Sequence, residues 1–139
     1  MHRVATRDST ARGERTRMGR ILLVEDEYNV RVLLEHVLLD AGYEVDSAAT
    51  VAEARSLLDS VRYDLVLADG RLPDGTGMML ADQAEESGIK ALIITGYAFQ
   101  LAELGRYDFL MKPVRPAELV AAIERVLGGK HQRALDGKK

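Results

Sequence analysis

Asp64-Leu65-Val66-Leu67-Ala68-Asp69-Gly70-Arg71-Leu72-Pro73-Asp74-Gly75-Thr76-Gly77 decides the fold. Leu65 to Ala68 is an apolar run with the length and composition of a buried strand. Asp69 ends it, and Pro73, Gly75 and Gly77 mark a turn-rich loop beyond it. A carboxylate at the carboxyl end of a buried strand is where an open α/β sheet presents chemistry. A single case carries little weight, because Asp also suits turns. The other strand ends carry the argument.

Ile21 to Val24 is a second continuous apolar run, the pattern of a strand buried on both faces, and Glu25-Asp26-Glu27 ends it. Val30, Leu33, Leu34, Val37, Leu38 and Ala41 then recur at helical spacing, and Gly42 stops that helix. Tyr43 to Ala48 alternates and reads as a strand nearer the sheet edge. Thr50-Val51-Ala52-Glu53 is a capping box that opens a helix to about Ser60. The helix after Gly77 carries Met78, Met79, Leu80 and Ala84 and ends at Gly88. Ala91 to Ile94 is the fourth strand, closed by Thr95-Gly96. Ala98 to Leu104 leaves room only for a shortened fourth helix. Tyr107 to Met111 is the fifth strand, ended by Lys112-Pro113, and Pro116 to Leu127 is the last helix, with Leu119, Ile123, Val126 and Leu127 as its apolar stripe. Strands alternating with helices require right-handed crossovers, hence an α/β doubly wound five-stranded parallel sheet with helices on both faces.

A chain of 139 residues without Cys can bury one core, with neither disulfides nor thiolate metal sites. No apolar run approaches a membrane span of roughly 20 residues, and no apolar segment marks a secretory signal. A cytoplasmic protein is the expectation. Residues 1–18 hold Arg3, Arg7, Arg12, Arg15 and Arg17 against Asp8 and Glu14, and read as a disordered basic arm, with Met18 as an alternative start. Taking those five basic and two acidic residues from totals of 19 and 22 leaves 14 against 20 over residues 19–139, so the chain beyond the arm, which holds the domain at 19–128, is acidic, which argues against nucleic acid as its partner. Residues 129–139 read as a flexible tail.

In a parallel sheet the strand ends share one edge. Glu25, Asp26, Asp69, Thr95 and Lys112 therefore converge. Clustered carboxylates repel, and a bound cation resolves the repulsion. All-oxygen ligation selects a hard ion, Mg²⁺ first. An Asp beside Mg²⁺ and a Lys ammonium is arranged to take a phosphoryl group as nucleophile.

With Glu25-Asp26, Asp69-x-x-Leu72-Pro73-Asp74-Gly75-x-Gly77, Thr95 and Phe109-x-x-Lys112-Pro113 in order at successive strand ends, the chain resembles the receiver domain of the two-component response regulators over Gly19 to about Gly128. The resemblance implies the flavodoxin-like (βα)5 fold with strand order 2-1-3-4-5. It implies that Asp69 accepts phosphate from a sensor histidine kinase or a histidine phosphotransfer protein. Asp26, Asp69 and the backbone carbonyl of Arg71 would hold Mg²⁺, with Glu25 acting directly or through water. Glu25 stands where the family usually has Asp. Lys112 would pair with the phosphate, Thr95 would move to bond it, and Phe109 would swing inward, a two-state switch of a protein-interaction face. The Lys112–Pro113 bond is expected to be cis. With no output domain in the sequence, a stand-alone receiver acting on an unknown downstream protein is expected, without a DNA-binding domain, and the last helix is a candidate homodimer face.

Competing classes are a phosphorylation-independent docking module, a phosphate sink and a phosphatase. Asp74-Gly75-Thr76 is similar to part of the Asp-x-Asp-Gly-Thr loop of haloacid-dehalogenase-type phosphatases. That loop needs its nucleophile at the position of Leu72.

Overall fold

The computed structural model describes residues 2–4, 18–96 and 105–128. Five parallel strands form the main sheet: β2 (Arg20–Val24), β3 (Glu44–Ala48), β4 (Leu65–Asp69), β7 (Lys90–Thr95) and β8 (Phe109–Met111), in the spatial order β3-β2-β4-β7-β8. Counted over these five, the order is 2-1-3-4-5, that of a flavodoxin-like doubly wound sheet. A short β1 (His2–Val4) adds antiparallel to the outer edge of β3, and β5 (Arg71–Leu72) pairs with β6 (Gly75–Thr76) in a small ribbon. Four helices are described: α1 (Tyr28–Asp40), α2 (Val51–Ser60), α3 (Gly77–Glu86) and α4 (Pro116–Gly128).

The continuous apolar runs divide between two faces, as the twofold alternation of a strand requires. Ile21, Leu23, Leu65 and Leu67 face α1 and α4, packing with Leu38, Leu119 and Ile123. Leu22, Val24, Val66 and Ala68 face α2 and α3, packing with Ala54, Leu57, Leu80 and Ala84. Every position is therefore apolar, because there is no solvent side.

Local signals set the helix ends. The Thr50 Oγ1 accepts from the Glu53 amide at 3.0 Å, and Glu53 reaches back to the Ala49 amide at 2.7 Å, one residue earlier than the usual capping box. Gly42 follows α1 with φ of 100°, where a side chain would be strained.

Four sequence expectations need correction. Leu33 is 58% exposed, because α1 turns Leu34, Glu35 and Leu38 inward instead. All five residues of β3 are buried rather than alternating. The cause is partly β1, which covers the edge and makes residues 2–4 a strand where an unstructured arm is expected. An open edge presents unpaired main-chain groups, and a passing segment satisfies them. The fifth strand starts at Phe109, not Tyr107. The shortened fourth helix, the rest of the arm and the tail at 129–139 lie outside the described residues.

The polar residues of β3 are buried with partners. Asp46 pairs with Arg20 at 3.0 Å and accepts from the Tyr63 hydroxyl at 2.7 Å. Ser47 donates to the buried Glu35 carboxylate. Removing one member of a buried pair strands the other. Asp46→Ala is therefore expected to cost about 3 kcal/mol, measured by urea unfolding, whereas a surface change such as Asp59→Ala should cost under about 0.5 kcal/mol.

Candidate functional site at the carboxyl edge of the sheet

β2 ends in Val24, and Glu25 follows directly, held by two contacts that sequence reading missed. Its carbonyl accepts from the Arg31 guanidinium at 2.7 Å, and its carboxylate accepts from the Glu27 amide at 3.1 Å. Arg31 also lies over the Tyr28 ring, 5.5 Å from its centroid. The first turn of α1 thus fixes the acid at the end of β2.

Asp69 is the last residue of β4 and is buried. The loop behind it is pinned on both sides. The Gly70 amide donates to the Ile94 carbonyl at 2.8 Å, and the Arg71 amide donates to the Asp69 carboxylate at 3.2 Å. Gly77 passes so close that a Cβ there would lie 2.4 Å from the Asp69 carbonyl oxygen. Its place is a matter of contact, not only of turn chemistry. Asp74 is spent on structure: its carboxylate accepts from the Val51 and Ala52 amides at 2.8 and 3.0 Å, capping α2 from across the loop. Those two bonds, Val51 first, hold its carboxyl below the usual range.

Glu25, Asp26 and Asp69 come together, each offering a carboxylate oxygen within 4.8 Å of the others. Asp26 is exposed, so the cluster opens to solvent. Lys112 Nζ stands 3.1 Å from Asp69 Oδ2 and 3.7 Å from Glu25 Oε1. Burial, then the Asp69 charge, pushes the Glu25 carboxyl up from 4.5 to about 7. Burial alone would lower the Lys112 ammonium, but its bond to Asp69 and the charges of Asp69 and Glu25 outweigh this and raise it. The donor set is all oxygen, anionic and open on one side. It therefore suits a hard divalent cation.

The remaining expected residues sit around this cluster. Thr95 ends β7 fully buried, one residue beyond Ile94, which pairs with Asp69. Its carbonyl accepts from the Lys112 amide at 2.8 Å, so β7 sets the height of the Lys. The Lys112–Pro113 peptide is cis. Phe109 lies opposite Ile93, half-buried with Met78 and Ala81 rather than beside the acids. Arg71 is exposed, with its main chain against Asp69.

An open parallel sheet with three acids and a Lys at its carboxyl edge defines an acidic, cation-compatible site. The family model of the response regulator receiver domain matches residues 21–124, and the chain belongs to that family. The response regulator protein PilR of Pseudomonas aeruginosa is 41% identical over 115 residues, covering 76% of this chain and 26% of that protein. Sporulation initiation phosphotransferase F of Bacillus subtilis is 30% identical over 115 residues, covering 78% of this chain and 93% of that protein. The response regulator TrrA of Thermotoga maritima, solved in complex with Mg²⁺ and BeF, superposes with a TM-score of 0.72 at 31% identity, covering 79% of this chain and 100% of that one. The chain spans 26% to 49% of the length of the first four curated relatives. No described helix is long and apolar enough to cross a membrane.

Two outcomes follow from this geometry. Gly77→Ala drives a methyl into the Asp69 backbone and is expected to cost about 1–3 kcal/mol, read as a lower urea midpoint. Glu25 binds its proton more tightly folded than unfolded, so its contribution to stability is present at acid pH and is lost as pH rises from 4.5 to about 7. In Mg²⁺-free buffer, Glu25→Gln should flatten the stability profile across that window, checked by unfolding at a series of pH values.

Proposed function

We propose that the chain is a phosphoryl-accepting signalling domain in which an Asp69 carboxylate oxygen attacks the phosphorus of a phosphohistidine on a histidine kinase or phosphotransfer protein. The O–P bond forms, the P–N bond breaks, and its electron pair leaves on the imidazole nitrogen. The observation that carries this reading is the buried Asp69 at 3.1 Å from Lys112 inside the three-acid cluster. Lys112 would shift from Asp69 to a phosphoryl oxygen, keeping its charge at the point where negative charge accumulates. Glu25, Asp26, Asp69 and the Arg71 carbonyl would hold Mg²⁺, which when bound neutralises charge on the equatorial phosphoryl oxygens. The Thr95 hydroxyl would donate to another of those oxygens. Phe109 would then move toward the space that Thr95 leaves, changing the face presented to a downstream protein.

The match to a response regulator solved with Mg²⁺ and BeF supports the cation assignment. Relatives range from receiver-sized proteins to chains about four times longer, and the proposal concerns the receiver reaction alone. The phosphatase reading gains nothing. Leu72 is buried where that nucleophile would stand, and Asp74 caps α2. A docking module that never takes phosphate would have no use for the full set of acids, Thr95 and Lys112.

Intact mass after incubation with Mg²⁺ and acetyl phosphate tests the reading. One phosphoryl group is expected on the parent and none on Asp69→Asn. Lys112→Ala is expected to lower the rate by about 10²-fold, the scale of losing one charge-stabilising donor. A parent that stays unmodified with acetyl phosphate and with a phosphorylated histidine kinase contradicts it.

A further inference from the structure

β8 is three residues long, yet it carries Phe109 and leads directly to Lys112. Its start is held from the side by α3. Arg106 pairs with Asp82 at 2.7 Å and with Glu85 at 3.4 Å, and its guanidinium lies 4.5 Å from the Tyr107 ring centroid. The Tyr107 hydroxyl donates to the same Asp82 oxygen at 2.8 Å. The Arg106 pair is exposed on both sides and contributes little alone. Tyr107 is half-buried, so its bond to a carboxylate is the directional member of the group.

Tyr107 and Phe109 are two residues apart, and both pack against the Ala81–Ile93 cluster. Tyr107 therefore cannot leave α3 without disturbing the ground on which Phe109 rests. The same helix begins at Gly77, against the Asp69 carbonyl. One rigid element thus touches the acceptor residue at its first position and Tyr107 at its sixth.

We propose that Asp82 and Tyr107 form a latch that positions Phe109 in its present half-buried setting and so sets how readily the domain reaches its phosphoryl-bound arrangement. Asp82 is a positioning residue, and the proposal rests on the receiver reading above. An interaction made in one arrangement and lost in another biases the equilibrium by its own free energy. Opening the latch should therefore raise the population of the switched state.

The chain has two phenylalanines, so fluorine-labelled Phe gives two ring signals, and a Phe99→Leu variant assigns them. In the parent, Mg²⁺ with beryllium fluoride should move the Phe109 signal. Tyr107→Phe and Asp82→Ala should move it part of the way without any ligand and should speed phosphorylation by acetyl phosphate about fivefold, the scale of one hydrogen bond. Asp82→Asn keeps an acceptor for Tyr107 and should behave as the parent. The double variant Tyr107→Phe with Asp82→Ala should add nothing to the singles. A parent that responds while both latch variants leave the Phe109 signal and the rate unmoved, losing only thermal stability, overturns the latch. A parent whose Phe109 ignores Mg²⁺ and beryllium fluoride overturns the receiver reading and the latch with it.

Discussion

The mutual repulsion of Glu25, Asp26 and Asp69 is the constraint on which the rest of the structure depends. The sheet brings three carboxylates to one edge because β2 and β4 are neighbours and end at the same level. Within the described residues the opposing charge comes from Lys112, carried on a different strand. Burial first, and then the Asp69 charge, raise the Glu25 carboxyl, and the Lys112 charge offsets only part of this. A site in this condition suits a divalent cation, and the proposed phosphoryl group would restore negative charge to it. Under the proposed reaction the charge of this cluster is what changes on modification, which is the requirement for a switch.

The surroundings hold that imbalance in place. The Arg31 and Glu27 contacts fix Glu25, the Gly70 and Arg71 amides fix the Asp69 loop, and the Thr95 carbonyl fixes Lys112. Asp74 and Gly77 belong to this scaffold rather than to the chemistry. One caps α2 from across the loop, and the other lets α3 approach Asp69. β8, by contrast, is a strand of three residues, paired to β7 along its main chain and tied to α3 just before its start by the Tyr107 side chain.

Much of this was legible in the sequence. Ile21 to Val24 of β2 and Leu65 to Ala68 of β4 are apolar at every position because both faces are covered, and such runs identify central strands without reference to periodicity. The strand-end acids and Lys112 could be placed together because a parallel sheet puts all its carboxyl ends on one edge. Burial of β3 could not be read, since Glu44, Asp46 and Ser47 look solvent-facing until Arg20, Tyr63 and Glu35 are found beside them. Those partners lie up to 26 residues away, beyond any local pattern. The tie of Tyr107 to Asp82 spans 25 residues and was hidden for the same reason. Leu33 misled because helical spacing marks a stripe but not how far the stripe is covered.

Thermal unfolding at pH 8 across a Mg²⁺ titration tests the central claim most directly. A ligand that binds only the folded chain stabilises it by mass action. The melting temperature of the parent should climb with Mg²⁺ in the millimolar range, and in Asp26→Ala, whose exposed carboxylate can be removed without opening the core, the climb should be largely lost. A parent indifferent to Mg²⁺, or an Asp26→Ala chain that gains as much as the parent, would contradict the assignment of the three acids to one cation site.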